Sequence, residues 1–157
     1  MRQLTQTKQN AKVLKLYITK DDANKTRVSP TQITLDANGV EGDKFYAKDE
    51  NRAILISSLE SYRLSKANGI ELREGALGEN ILIDINPYHL LPGDKLRIGD
   101  VELEITQNCT LCKGLSSLDP KLPKLLKNDR GIFAKICDEK SHTIQVDDQV
   151  ILSPKTD

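Results

Sequence analysis

The chain has 157 residues, with 23 basic and 23 acidic side chains, so it is long enough for one domain with an ordinary core and carries no net charge at neutral pH. That balance, with four scattered Tyr, two Phe and no Trp, argues against a general binder of nucleic acid or of anionic membranes. Three cysteines make a poor disulfide framework, Met1 to Asn10 is polar, and no run nears the roughly 20 apolar residues that span a bilayer, so a reducing, cytoplasmic setting is expected.

Residues 1–10 are read as a polar extension and residues 11–153 as the domain. Short strand-like runs follow one another. Leu14, Leu16 and Ile18 alternate with Lys15 and Tyr17, Ile33 and Leu35 flank Thr34, and Ile54 to Ile56 is continuously apolar. Ile81 to Ile83, Leu96 to Ile98, Val101 to Ile105, Ile132 to Cys137, Thr143 to Val146 and Gln149 to Leu152 continue the series. Runs of this length and spacing predict a β-rich barrel or sandwich-like core. Gly99-Asp100 falls between two alternating runs and predicts a tight hairpin, with Asp147-Asp148 as a corresponding turn. Asp43 is expected to cap the turn at Gly42, and His89 and His142 are ordinary loop or surface residues.

Two helices interrupt the strands. Ser57 with Glu60 forms a capping-box pattern and Asn68-Gly69 a stop signal, for a helix burying Leu59, Tyr62 and the stem of Lys66. A second is predicted over Pro120 to Asn128, with Pro123 in its first turn.

The chemistry concentrates in Thr106-Gln107-Asn108-Cys109-Thr110-Leu111-Cys112-Lys113, at the end of the Val101 to Ile105 run. A thiol at a strand end combines a rigid mount with access to substrate. Lys113, Lys121, Lys124, Lys127 and Arg130 follow, and nearby cations favour a thiolate. Three chemistries compete. One cysteine works as ligand or nucleophile; or Cys109, Cys112, Cys137 and His142 close a structural zinc site; or the pair is a thioredoxin-like dithiol. The alternation of Ile132, Ala134 and Ile136 instead places Cys137 on a sheet face as a small apolar residue, and the dithiol lacks its usual βαβ context.

Several dispersed segments resemble the MOSC domain, the module found at the C-terminus of molybdenum cofactor sulfurases. The likeness runs from about Val13 to Leu152. It rests on Val40-Glu41-Gly42-Asp43-Lys44, on Arg52 to Ser57, on Gly75 to Ile81 with its Gly-Glu-Asn, on Leu91 to Gly99 with its Gly-Asp-x-Leu-x-Ile-Gly pattern, on Thr106 to Lys113, and on Gly131 to Ile136. Motif alignment puts the signature cysteine at Cys112 and makes Cys109 a bystander or, at most, a resolving partner. Phe45 stands where the family commonly has His, Leu111 replaces a proline, and Glu139 to His142 replaces a Gly-Gly turn.

The resemblance implies a mainly β, barrel-like single domain with minor helices. It implies the molybdenum cofactor (molybdopterin), with Cys112 as the metal's thiolate ligand in an oxidoreductase-type site. The pterin phosphate and its surroundings would meet Lys44, Arg52, Arg73, Glu79, Asn80 and Lys113. An alternative has Cys112 carry sulfur as a persulfide in cofactor or metal–sulfur maturation; a further one is a non-catalytic, zinc-stabilised interaction module. No pyridoxal phosphate is expected on this chain, so sulfur would come from a cysteine desulfurase, and electrons from a molybdoenzyme or electron-transfer partner.

Overall fold

The computed structural model describes residues 11–110 and 114–154. The polar extension, Leu111, Cys112 and Lys113 lie outside them. In chain order the strands are β1 (Val13–Leu16), β2 (Ile18–Thr19), β3 (Arg27–Val28), β4 (Gln32–Asp36), β5 (Gly39–Val40) and β6 (Ile54–Ser58). Helix α1 (Leu59–Ala67) follows, then β7 (Ile81–Ile83), β8 (Lys95–Ile98), β9 (Val101–Asn108), α2 (Leu115–Leu118), α3 (Leu122–Leu125), β10 (Ile132–Lys135), β11 (His142–Gln145) and β12 (Val150–Ser153).

Seven strands form one sheet in the order β1-β7-β6-β10-β9-β8-β12. Its first and last strands come back together. Lys12 bridges Gln149, and the amides of Val13 and Val150 donate to the carbonyls of Asp148 and Ala11 at 2.9 and 2.8 Å. The sheet is thus a nearly closed barrel, which satisfies backbone groups that an open edge would expose. Alternation does the rest: Ile54, Ile56, Leu103, Ile105, Ile132 and Ala134 all face one buried core. The smaller sheet, β11-β4-β5, contributes Ile33, Leu35, Val40 and Ile144 to that core. Strands β6 and β7 run parallel, so a crossover must join them, and α1 lies within it.

Gly99-Asp100 joins β8 to β9, with Ile98 opposite Val101. Elsewhere tertiary context moved boundaries that local patterns suggest. Helix α1 is capped by Ser58, whose hydroxyl accepts from the Glu60 amide, because β6 continues through Ser58 in register with β7. Its buried face is Ser61, Tyr62 and Ser65; Lys66 is exposed and Leu59 only half-buried. The helix expected over Pro120 to Asn128 is the shorter α3, with Pro123 in its first turn, and the separate α2 precedes it. Asp147-Asp148 is a turn, but β11 and β12 pair with β4 and β8 rather than with each other. A register shift between Val13 and Lys15 turns Val13 and Leu16 into the core and leaves Leu14 against a second cluster. Cys137 falls past the end of β10 and is exposed, its Sγ 3.6 Å from Glu104 Oε1, instead of packing on the sheet.

Candidate functional site

The cysteine segment is seated at both flanks. Upstream, β9 ends with Asn108 opposite Ile132, and the Cys109 amide donates to the Gly131 carbonyl at 2.9 Å. The Cys109 side chain is buried against Leu55 and Phe133. Those two alternate with the core-facing Ile54, Ile56, Ile132 and Ala134, so this cluster lies on the outer face of the barrel. Downstream, Leu115 is buried with Leu77, Leu122 and Leu126. Cys112, the sequence-derived working cysteine, stands between these flanks in sequence and outside the described residues.

The turn opposite Cys109 is clamped. Ser57 Oγ donates to the Arg130 carbonyl at 2.8 Å, and Ser61 Oγ donates to the Asp129 carbonyl. Since the Ser61 proton is committed there, the Tyr88 hydroxyl shares its own between Ser61 Oγ at 2.5 Å and the Arg130 carbonyl at 3.2 Å, while accepting from the Ser58 amide at 2.7 Å. Burial pushes the Tyr88 phenol up, which keeps it a donor. A Cβ at Gly131 would stand 3.0 Å from the Ile56 carbonyl oxygen and 3.1 Å from Ser57 Oγ, so the close approach to β6 just before β10 favours glycine there. From this turn Arg130 reaches across and donates to the Leu77 carbonyl at 3.1 Å.

The loop from Gly75 to Asn80 is held on every side. Asn80 makes three side-chain bonds: its oxygen accepts from the Leu55 amide at 3.0 Å, and its nitrogen donates to the Tyr17 carbonyl at 3.2 Å and to Asp43 Oδ1 at 3.3 Å. Glu79 is fully buried. Its Oε2 accepts from the Tyr62 hydroxyl at 2.5 Å, and its Oε1 lies 3.5 Å from Arg27 Nη2 with no hydrogen bond of its own. Burial raises the Glu79 carboxyl above its ordinary range, opposed by the Tyr62 hydrogen bond and the Arg27 charge. Arg27 also donates to the carbonyls of Gly75 and Glu79, at 3.0 and 2.6 Å, and lies 4.7 Å from the centre of the Tyr17 ring. Desolvation, with Glu79 and Glu74 nearby, lifts the Tyr17 phenol to about 12.

The remaining candidates are dispersed cations. Lys44 is half-buried, 4.9 Å from the Phe45 ring centre, with its amide bonded to the Thr19 carbonyl. Its neighbour Asp43 does more than cap a turn: it accepts from the amides of Thr19 and Phe45 and from Asn80, tying three segments together. Arg52 is exposed, 3.9 Å from Asp49, one residue after the Asn51 carbonyl that receives the Thr106 hydroxyl of β9. Arg73 is exposed, its carbonyl accepting from the Ala76 amide. Lys113 lies outside the described residues. The zinc alternative finds its members apart: Cys109 and Cys137 flank opposite ends of β10, a strand roughly 13 Å long, and His142 Nε2 faces Asp138 at 2.9 Å. Among the described residues no group of three or more His, Cys, Asp or Glu could hold a metal.

Arg27, Tyr62 and Tyr88 were not legible as site-forming residues. Tyr62 shows in sequence only as an apolar helix position, and Arg27 sits in an unpatterned stretch. Arg130 had a signal, its place beside the Gly131 to Ile136 motif.

The fold is that of a nearly closed β-barrel, with Cys109 directly after its longest described strand, β9. The MOSC domain model matches residues 42–151, and the chain belongs to that family. Among solved structures it is similar to the YuaD protein from Bacillus subtilis, with a TM-score of 0.78 at 18% identity over 92% of this chain and 97% of that one. YiiM from Geobacillus stearothermophilus gives 0.66 at 17% identity, covering 90% and 74%. YiiM from Escherichia coli gives 0.64 at 18%, covering 92% and 71%. A search of curated proteins finds no significant match. Among the described residues no helix is long and apolar enough to cross a membrane.

Proposed function

We propose that this chain handles the molybdenum cofactor, with Cys112 as the thiolate ligand to its metal in an oxidoreductase-type site. The observation that carries the reading is the built seat at both flanks of the cysteine segment, Cys109 on Leu55 and Phe133 and Leu115 on Leu77, within a family-matched region. The donor set fits an anionic pterin with a thiophilic metal. Cys112 is the soft ligand, and Lys44, Arg52, Arg73 and Lys113 are the cations available to a phosphate. Bound there, the cofactor would supply redox chemistry at molybdenum, which the protein tunes and shields rather than performs.

The chain's own residues do the positioning. The buried Cys109–Leu55–Phe133 cluster excludes water from one flank, and the clamped turn at Arg130 keeps that wall in register with β6. Glu79 and Asn80 spend their polar atoms inside the protein and shape the site from behind. Electrons, or sulfur, would come from a second protein.

The test is elemental analysis of protein made in a cofactor-producing host. Stoichiometric molybdenum that disappears in Cys112→Ala is the expected result. A mass gain of one sulfur on Cys112 after exposure to a cysteine desulfurase, without retained molybdenum, would assign the sulfur-carrier role instead. Zinc that depends on Cys109, Cys137 and His142 together would make the chain a metal-stabilised interaction module.

A further inference from the structure

The buried Glu79 and Tyr62 and the half-buried Arg27 form one cluster on the Gly75–Asn80 loop. The Tyr62 hydroxyl accepts from the Gly75 amide at 2.9 Å and from the Leu77 amide at 3.4 Å. The two amides can only donate, so the Tyr62 proton is left for Glu79, and one hydroxyl ties Gly75, Leu77 and Glu79 of the loop together. Arg27 closes the other side through the carbonyls of Gly75 and Glu79. The loop is also too tight at its start for another residue: a Cβ on Gly75 would fall 2.8 Å from the Tyr17 ring, at a φ of +93°.

This loop carries both seats of the cysteine segment. At one end, the Asn80 amide donates to the Leu55 carbonyl at 2.8 Å and its side chain accepts from the Leu55 amide, and Leu55 packs on Cys109. In the middle, Leu77 is fully buried with Leu115, the first residue of α2. We propose that Glu79 is a positioning residue for Cys112: through Tyr62 and Arg27 it holds one loop whose Leu77 and Asn80 seat the two flanks of the cysteine segment. The proposal rests on Cys112 being the working thiol, and it assigns Glu79 to the scaffold rather than to contact with the cofactor.

The ionisable and charged groups around Glu79 are Tyr62 from α1, Arg27 from β3, Tyr17 after β1, Tyr88 before β8, and Glu74 on the loop itself, which pairs with Lys15 at 3.0 Å. Arg130 closes the loop from the far side through the Leu77 carbonyl.

The experiment is alkylation of the full chain by iodoacetamide across pH, with Cys109, Cys112 and Cys137 followed separately by mass spectrometry. It needs no bound metal, so its outcome is independent of molybdenum content. Glu79→Gln keeps the size and an acceptor for Tyr62 but removes the charge facing Arg27; Tyr62→Phe removes the hydroxyl and keeps the ring. Each is expected to change the Cys112 rate roughly tenfold, the lower end for partners that orient a reacting ligand, and to move the midpoint of its pH profile, with the exposed Cys137 unchanged. In the double variant the two effects should not add, because they act on one chain of bonds. Thermal unfolding read on the same samples separates a misfolded variant, in which all three thiols react alike. If both folded variants keep the wild-type Cys112 rate and pH midpoint, the proposal is overturned, whatever the molybdenum analysis shows.

Discussion

The two ends of the β9–β10 pair hold similar residue types under opposite conditions. At the Cys109 end, polar groups are buried and bonded: Ser57, Ser61, Tyr88 and Asn80 hold a single turn and a single loop in place. At the other end, Lys95 pairs with Glu104 at 3.1 Å and with Glu102 at 3.7 Å, beside the exposed Cys137. There Lys95 lowers the Glu104 carboxyl through their hydrogen bond, and partial desolvation with the Glu104 charge raises the Cys137 thiol, which disfavours its thiolate. A hydrogen bond at the first end replaces water that cannot return when it is broken. At the second end, water is waiting.

The sharpest way to break that contrast is Asn80→Ala. It strips an acceptor from the Leu55 amide and donors from the Tyr17 carbonyl and Asp43, all in a buried setting. At about 1 kcal/mol for each bond, a loss of about 3 kcal/mol is expected in urea unfolding. A loss below that of a typical surface substitution would show that the loop is not held through Asn80.

Glu79 should be felt as a slope against pH. Its carboxyl titrates higher in the folded chain than in the unfolded one, so the fold binds the extra proton. Its contribution to stability is therefore complete below the ordinary carboxyl range and is lost as pH rises through the folded value. Unfolding midpoints taken from acid to neutral pH should show that decline in the wild type and a flatter line in Glu79→Gln; parallel lines would remove Glu79 as the titrating group. The smallest effect belongs to the exposed end. Lys95→Gln should cost under about 1 kcal/mol and shrink further with added salt, as screened surface pairs do.

Much of the scaffold was legible because strand alternation has a period of two and turns have their own residues. Val101, Leu103 and Ile105 face the core as their spacing requires, and Gly99-Asp100 turns the chain between β8 and β9. What misled was any signal that depends on a partner. Ser57 sits at the right distance from Glu60 to cap a helix, yet the strand pairing of β6 carries the cap to Ser58 and frees Ser57 to hold Arg130. Cys137 alternates correctly with Ile136, but β10 stops two residues earlier.

The sequence by itself determined most of the barrel's strands and the family, and it singled out Thr106 to Lys113 as the candidate segment for chemistry, since each is written in local periodicity or in contiguous motifs. Only the tertiary structure decided that Glu79 and Asn80 turn inward, that Arg27 crosses 52 residues of chain to reach Glu79, and that one loop seats both flanks of that segment. The physical reason is that a buried polar group must find its partner wherever the fold supplies one, and distance along the chain says nothing about where that is.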